Sequence, residues 1–368
     1  MKVSWGPISL IAASTALCLA ILEGGVRIAV GVPVFSNVNF VSHALDTLRV
    51  GVGNRYDPTL GWVQNENLAL KSDGTFTTGR WGVRMPTAVI RDLMPNGVLA
   101  VGDSLTVGSD VSDAEAWPAQ LENMIHLQVI NAAVGGYSID QTTLRAEALI
   151  PILKPRTLLV EVTGITSLYT ALKVYSGVPK PYFQIENGTL TLHNVPVPKE
   201  ATYSDLGWLR GIFGYSYLVH YAMIRLDVLQ WWVTNSRYQW ASSASQGMEI
   251  TCMLMGRLAQ LRDRIGLQTA IIVQYGATEA MDSVLGWDRT RLLKCIRDQN
   301  LTLVDTYDAL HTVYENEGEE AYKRLWVMHE DGRIYGHMSP EGNRLIARLI
   351  AEQVFEGNIQ SLPAPAVE

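Results

Sequence analysis

Val98-Leu99-Ala100-Val101-Gly102-Asp103-Ser104-Leu105 is the stretch on which the fold turns. Four apolar residues in succession, with no polar alternation, suit a strand buried on both faces of a parallel sheet. The Gly-Asp-Ser that follows breaks it into a sharp turn. A helix through Trp117, Leu121 and Ile125 comes next, then a second strand, Val129-Ile130-Asn131. A small-residue loop, Ala132 to Tyr137, leads to a helix opened by Ser138 and Gln141 in capping-box spacing. Leu158 to Val162, Ala270 to Val273 and Leu301 to Val304 read as three further strands, with helices around Met253 to Ile265 and Leu292 to Ile296. Strand and helix alternate, which predicts a three-layer α/β sandwich with a parallel sheet covered on both faces.

Around this core the chain divides unevenly. Residues 1–36 hold an apolar segment, 37–96 a Gly-, Pro-, Asn- and Asp-rich connector that lies over the domain, and 97–360 the α/β domain with an insertion at 171–247. Within the insertion, Asn187-Gly188 sits between Tyr182 to Glu186 and Thr189 to Leu192, a strong two-residue hairpin signal. Leu206 to Val233 is apolar and aromatic and reads as a helix packed on the sheet, while its tryptophans leave an interfacial or partner-docking helix open. Two charges in mid-run and a glycine-rich start argue against a second membrane crossing.

From Trp5 to Leu22 no side chain is charged, and apolar character resumes after Glu23-Gly24-Gly25. That length suits a bilayer crossing. No small-x-small site follows the run, so an uncleaved anchor is favoured over a cleaved signal peptide, with one helix expected over 5–34. Glu23 and Arg27, spaced i,i+4, mark its exit end. Lys2 at the start places the N-terminus in the cytoplasm and the bulk outside it, by the positive-inside rule.

Composition removes other classes. The chain has 368 residues, 48% hydrophobic and 18% charged, with 29 Lys and Arg against 36 Asp and Glu, a net charge of −7. No basic cluster interleaved with aromatics occurs, so a nucleic-acid partner is excluded. Cys18, Cys252 and Cys295 lie far apart without a CxxC, which argues against both a zinc site and a disulfide framework.

The chemistry-bearing residues fall in blocks. Ser104 stands at the carboxyl end of the first strand, where open α/β sheets bind ligands. Gly102-Asp103-Ser104-Leu105 resembles the first block of the SGNH or GDSL hydrolase superfamily, whose serine is the nucleophile. Asn131-Ala132-Ala133-Val134-Gly135-Gly136 resembles the second, whose last glycine supplies an oxyanion amide. Gly336-His337-Met338-Ser339-Pro340 resembles the last, and His337 takes the place of the base, just before a helix with Ser339 as N-cap and Pro340 at its first position. The Glu-x-x-x-Arg step, Leu60-Gly61-Trp62 and the Asn-Gly hairpin look like those of bacterial membrane-anchored members.

Two blocks depart from the pattern. With Gly164 as the anchor, the resemblance puts Thr166 where the superfamily has its oxyanion asparagine, in Thr163-Gly164-Ile165-Thr166-Ser167, and a register shift of one puts Ile165 there; neither carries an amide. Ile334 stands where the acid should be, three residues before the histidine. Asp331, six before it, reaches His337 only if the intervening segment loops out. Asp103 reads as a turn cap, and Glu161 as an edge or end position rather than a paired carboxylate.

The resemblance therefore implies a serine esterase or O-acyltransferase. Catalysis would rest on Ser104, His337 and Asp331, with an oxyanion hole of Ser104, Gly136 and Thr166. Neither a cofactor nor a metal is implied. Such an enzyme would sit in a bacterial inner membrane as a single-pass protein facing the periplasm or exterior and act on an acyl ester. The alternative, favoured by the two departures, is a degenerate SGNH-like domain serving as a binding or structural subunit beside integral membrane proteins.

Overall fold

A computed structural model describes residues 5–41, 53–70, 76–198, 203–226, 228, 231–232, 238–281, 285–329, 332 and 334–355. The chain opens on helix α1, Trp5–Ala29, and a short antiparallel pair, β1 (Asn54–Asp57) and β2 (Gly61–Gln64). Strand β3 (Val98–Val101) runs into a one-turn helix, α2 (Ser104–Val107), and then into α3 (Trp117–Ile125). Next come β4 (Val129–Asn131), α4 (Ile139–Leu153), β5 (Thr157–Thr163) and α5 (Gly164–Tyr169). The insertion contains β6 (Leu172–Tyr175), β7 (Val178–Pro179), β8 (Tyr182–Glu186), β9 (Thr189–His193), α6 (Tyr203–Phe213), α7 (Tyr217–Arg225) and β10 (Tyr238–Trp240). The domain closes with α8 (Ala244–Ile265), β11 (Gln268–Gln274), α9 (Arg289–Asp298), β12 (Thr302–Asp305), the hairpin β13 (Trp326–Met328) and β14 (Ile334–Met338), and α10 (Pro340–Val354).

The central sheet is five-stranded and parallel, in the order β12-β11-β5-β3-β4. Every residue of β3, β4 and β5 is buried, as expected for strands covered on both faces. The connection β3-α3-β4 runs towards one edge, while β4-α4-β5 doubles back to the other side of β3. Right-handed crossovers therefore put α3 and α4 on opposite faces. Helix α10 packs on α3, where the Asn343 side chain accepts from the Trp117 amide at 2.9 Å, and α8 packs on α4 and α9. The reversal at β3 and β5 opens a crevice at their carboxyl ends.

Several local expectations change. Helix α1 stops at Ala29 rather than 34, because Gly31 takes a left-handed backbone (φ 73°), and the Arg27 guanidinium then binds the carbonyls of Pro33 (3.1 Å) and Val34 (3.2 Å). Glu23 does pair with Arg27, at 2.6 Å. Ser138 is the N-cap of α4 by backbone angle, yet no capping box forms. Its hydroxyl donates to Asp140 at 2.8 Å and the Gln141 amide donates to the Leu60 carbonyl at 2.8 Å. Cys252 and Cys295, expected to stay unpaired, form a disulfide between α8 and α9 across 43 positions. Sequence distance hid the pairing, since it is the sheet that brings those two helices side by side.

The hairpin β8-β9 forms with its two-residue Asn187-Gly188 turn as read, outside the central sheet. The described residues of the run from 206 to 233 include most of α6 and all of α7, and α7 has no buried residue and lies against α1 rather than on the sheet. The connector is far from a passive spacer: Arg84 pairs in a bridge with Asn131, and Val63, Val83 and Met85 join the core.

Candidate active site

Strand β3 ends at Val101, and Gly102 has no room for a side chain: a Cβ there would lie 2.4 Å from the Glu161 carboxylate. Asp103 caps α2, its Oδ1 accepting the Leu105 amide at 2.8 Å, which is the cap role read from the sequence. The turn thereby presents Ser104 at the carboxyl end of β3. On the neighbouring strand β5, Glu161 is buried and central, not at an edge. Its Oε2 accepts the Asp103 amide at 2.9 Å and the Thr106 hydroxyl at 3.3 Å. Burial, and then the negative charge of Asp103, push the Glu161 carboxyl well above the usual range. This carboxylate sits beneath the serine turn and braces it.

The histidine arrives from the far end of the chain. β14 carries His337 to the end of its hairpin, and Ser339 caps α10 by accepting the Gly342 amide at 3.2 Å, with Pro340 at the first helical position as read. His337 Nε2 lies 2.9 Å from Ser104 Oγ although 233 positions separate them. The other ring nitrogen, Nδ1, meets the Asp110 carboxylate. Asp331 lies outside the described residues.

Asp110 is the residue that sequence reasoning missed. Helix α2 ends at Gly108, whose left-handed backbone (φ 74°) turns the chain back over Ser104, so that an acid six residues beyond the serine returns to its side. That return loop is clamped. The buried Arg84 guanidinium donates to the carbonyls of Val107 (2.6 Å), Gly108 and Val111 (2.7 Å) and to Asp113 at 3.1 Å. The signal in the sequence is a carboxylate close behind the nucleophile after a Val-Gly helix stop, whereas the superfamily pattern points to residues preceding the histidine.

The second block forms a tight loop. Asn131 binds the Thr106 carbonyl through its amide at 3.0 Å, tying β4 to the serine turn. Gly136 has φ 80°, and a Cβ on it would strike the Tyr175 ring at 2.9 Å, so both backbone angle and space require glycine. The Trp62 indole donates to the Gly135 carbonyl at 3.1 Å. A trans peptide is planar, so holding that carbonyl fixes the Gly136 N–H in the opposite direction. Neither the Ser104 nor the Gly136 amide is used by another group among the described residues.

The third block does not supply what the superfamily's asparagine would. The Thr166 hydroxyl is spent on α5's own N-terminus, donating to the Thr163 carbonyl at 3.1 Å and accepting the Thr163 amide at 2.9 Å. The side chain is buried, and the oxyanion role expected of it is withdrawn on that ground. The Trp287 ring lies over the same turn, where a Cβ on Gly164 would come within 1.9 Å of it.

The serine turn, glycine loop and histidine hairpin gather at one crevice of a flavodoxin-like sheet. The chain resembles the SGNH/GDSL hydrolases. No family model matches it. A 69-residue stretch is 38% identical to the Escherichia coli K12 protein described as thioesterase 1/protease 1/lysophospholipase L1, covering 18% of this chain and 33% of that protein. The chain thus spans about a third of the length of the curated relative it matches. Among solved structures, a putative lipolytic protein of the G-D-S-L family from Desulfitobacterium hafniense overlaps 70% of this chain and 98% of its own, at 12% identity and a TM-score of 0.35. The acetylxylan esterase Axe2 from Geobacillus stearothermophilus overlaps 74% and 100%, at 13% identity and a TM-score of 0.39. Overlaps of that quality add no weight to the strand order and site geometry described above.

Proposed function

We propose that this chain is a serine acyl-ester hydrolase or O-acyltransferase working through an acyl-Ser104 intermediate. The observation that carries the reading is the hydrogen-bonded series Ser104 Oγ, His337 Nε2 and Nδ1, and the Asp110 carboxylate. In this scheme the Asp110 carboxylate accepts a hydrogen bond from Nδ1–H, which fixes the tautomer and leaves Nε2 free to take the serine proton. Oγ attacks the acyl carbon as its proton passes to Nε2, and the carbonyl oxygen becomes an oxyanion. Collapse expels the alcohol, which takes the proton back from the imidazolium. Water or an acceptor alcohol then repeats the sequence on the acyl-serine, so hydrolysis and transfer share every protein group.

The oxyanion is stabilised by the amides of Ser104 and Gly136, each worth roughly 2.7–4 kcal/mol when well aimed, and Trp62 keeps the second one aimed. No third donor comes from Thr166, which lowers the expected rate and is the feature that favours the alternative reading, a degenerate binding subunit. An intact serine–histidine–carboxylate series argues for the enzyme.

Helix α1 supports an anchor. Its Ser9–Ala29 portion is long and apolar enough to cross a bilayer, and Ser9 to Leu22 are exposed. A disulfide between Cys252 and Cys295 suits an oxidising compartment, in keeping with a bulk that faces the periplasm or cell exterior. The test is hydrolysis of a short activated acyl ester by the full-length protein in detergent. Wild type is expected to turn it over and Ser104→Ala is not; equal rates would refute the nucleophile.

A further inference from the structure

Part of the insertion turns large apolar side chains outward. Trp208 is 71% exposed, Ile212 62% and Leu226 68%, and Phe213, Tyr215 and Trp231 are exposed beside them. Trp208 and Ile212 are spaced i,i+4 and so share a face of α6. Arg210 is turned inward, donating to the Trp231 carbonyl at 2.7 Å with its guanidinium 4.7 Å from the Trp231 ring. The Arg210 guanidinium is thus held within the protein, while Trp208 and Ile212 point out. Clusters of this kind on a protein surface mark a contact face.

What covers this face follows from where α1 holds it. Glu23 of α1 caps α7, accepting the Tyr217 amide at 2.7 Å, the Leu218 amide at 2.9 Å and the Ser216 hydroxyl at 2.7 Å. Arg27 donates to the Tyr215 carbonyl at 2.8 Å, and the Phe40 amide to the Gly214 carbonyl at 2.8 Å. The turn between α6 and α7 is therefore fixed at the level of residues 23 to 27. The uncharged run Trp5 to Leu22 rises about 27 Å as a helix, close to the ~30 Å of hydrocarbon in a bilayer. Glu23 then lies at the boundary between acyl chains and headgroups, and α6 and α7 lie there with it.

We propose that α6 and α7 form a membrane-interface platform whose apolar face enters the headgroup–acyl boundary of the bilayer that α1 crosses. The inference rests on the anchor reading of α1. Exposed tryptophan and tyrosine suit that layer, since their rings accept acyl chains and their polar edges accept water. Exposed Arg225, held on the Tyr221 hydroxyl at 2.6 Å, supplies a guanidinium for lipid phosphate at the same level. The platform holds the start of the connector against the membrane surface and gives the single helix a second contact.

The experiment places dyes in the full-length protein in vesicles of phosphatidylethanolamine and phosphatidylglycerol. A Cys18→Ser background removes the one free cysteine among the described residues, so a single added cysteine carries an environment-sensitive fluorophore. Positions are Ile212→Cys, Leu226→Cys and, in mid-span, Ala13→Cys. Quenching is compared between lipids spin-labelled near the glycerol and near the chain end. At 212 and 226 the emission is expected to shift blue and to be lost more to the shallow label than to the deep one; at 13 the order reverses. Water-like, unquenched dyes at 212 and 226 with deep quenching at 13 would overturn the platform and leave the anchor standing. Absence of quenching at 13 would overturn the anchor and the platform together. A protein partner as the true occupant would give the first of these two results, because these vesicles hold none.

Discussion

Replacing Asp110 tests the assignment that the sequence did not suggest. Both members of its contact with His337 are partly open to water, the Asp110 side chain 33% exposed and that of His337 26%. A surface-like effective dielectric constant of ~20 therefore applies, and an imidazolium–carboxylate pair about 4 Å apart is then worth about 4 kcal/mol. At 1.36 kcal/mol per factor of ten, Asp110→Ala should lower kcat by on the order of 10³. Asp110→Asn should cost more, about 10⁴, because an amide that donates to Nδ1 places the proton on Nε2, where it blocks acceptance from Ser104. Turnover of an activated ester, with burst amplitude as a check on the fraction of competent sites, reads both variants. Asp331→Ala serves as the comparison and, with Asp110 on Nδ1, should stay within about threefold of wild type. Retention of wild-type kcat by Asp110→Ala would refute the reasoning, and a collapse in Asp331→Ala alone would move the acid to that residue.

Three further outcomes follow from the geometry. Trp62→Phe keeps the ring but loses the hydrogen bond to Gly135, and should lower kcat about tenfold at nearly constant KM, on the order of 1–1.5 kcal/mol; a change confined to KM would count against a role in aiming the Gly136 amide. Reduction of the Cys252–Cys295 bridge, or Cys295→Ser, should destabilise the fold by about 4 kcal/mol on loop entropy for 43 positions, seen as a lower denaturant midpoint; an unchanged midpoint would show the bridge is not formed. Glu161 has a folded-state pKa above its unfolded value, so the folded protein binds the extra proton and stability falls as pH rises from about 4.3 through the higher folded value. Glu161→Gln should remove that slope in chemical denaturation across the window; parallel curves for the two proteins would contradict the buried carboxyl.

The parts of the site that depend on local pattern were open to reading. The buried run before Ser104, the glycine loop at 136 and the Ser339-Pro340 helix start each follow from neighbours in sequence, because strand, turn and cap chemistry act over a few residues. What remained hidden depends on distance bridged by the fold. Arg84 and Trp62 sit in a connector with little periodicity, and their work lies in carbonyls that only the folded loops of 107–111 and 135 bring to them. Thr166 carries the right kind of group in the matching position, but a threonine hydroxyl is short enough to turn on its own backbone and is consumed there. The 206–233 run stayed open between two readings because apolar content alone does not distinguish a face turned to a sheet from one turned outward.

The central claim is that Ser104 is a nucleophile made reactive by His337. The most direct measurement is fluorophosphonate labelling of the full-length protein in detergent, with the adduct located by peptide mass. One adduct on the Ser104 peptide is expected, absent from Ser104→Ala and strongly slowed in His337→Ala. A wild-type protein that stays unlabelled while correctly folded, or a label that persists in Ser104→Ala, would contradict the account.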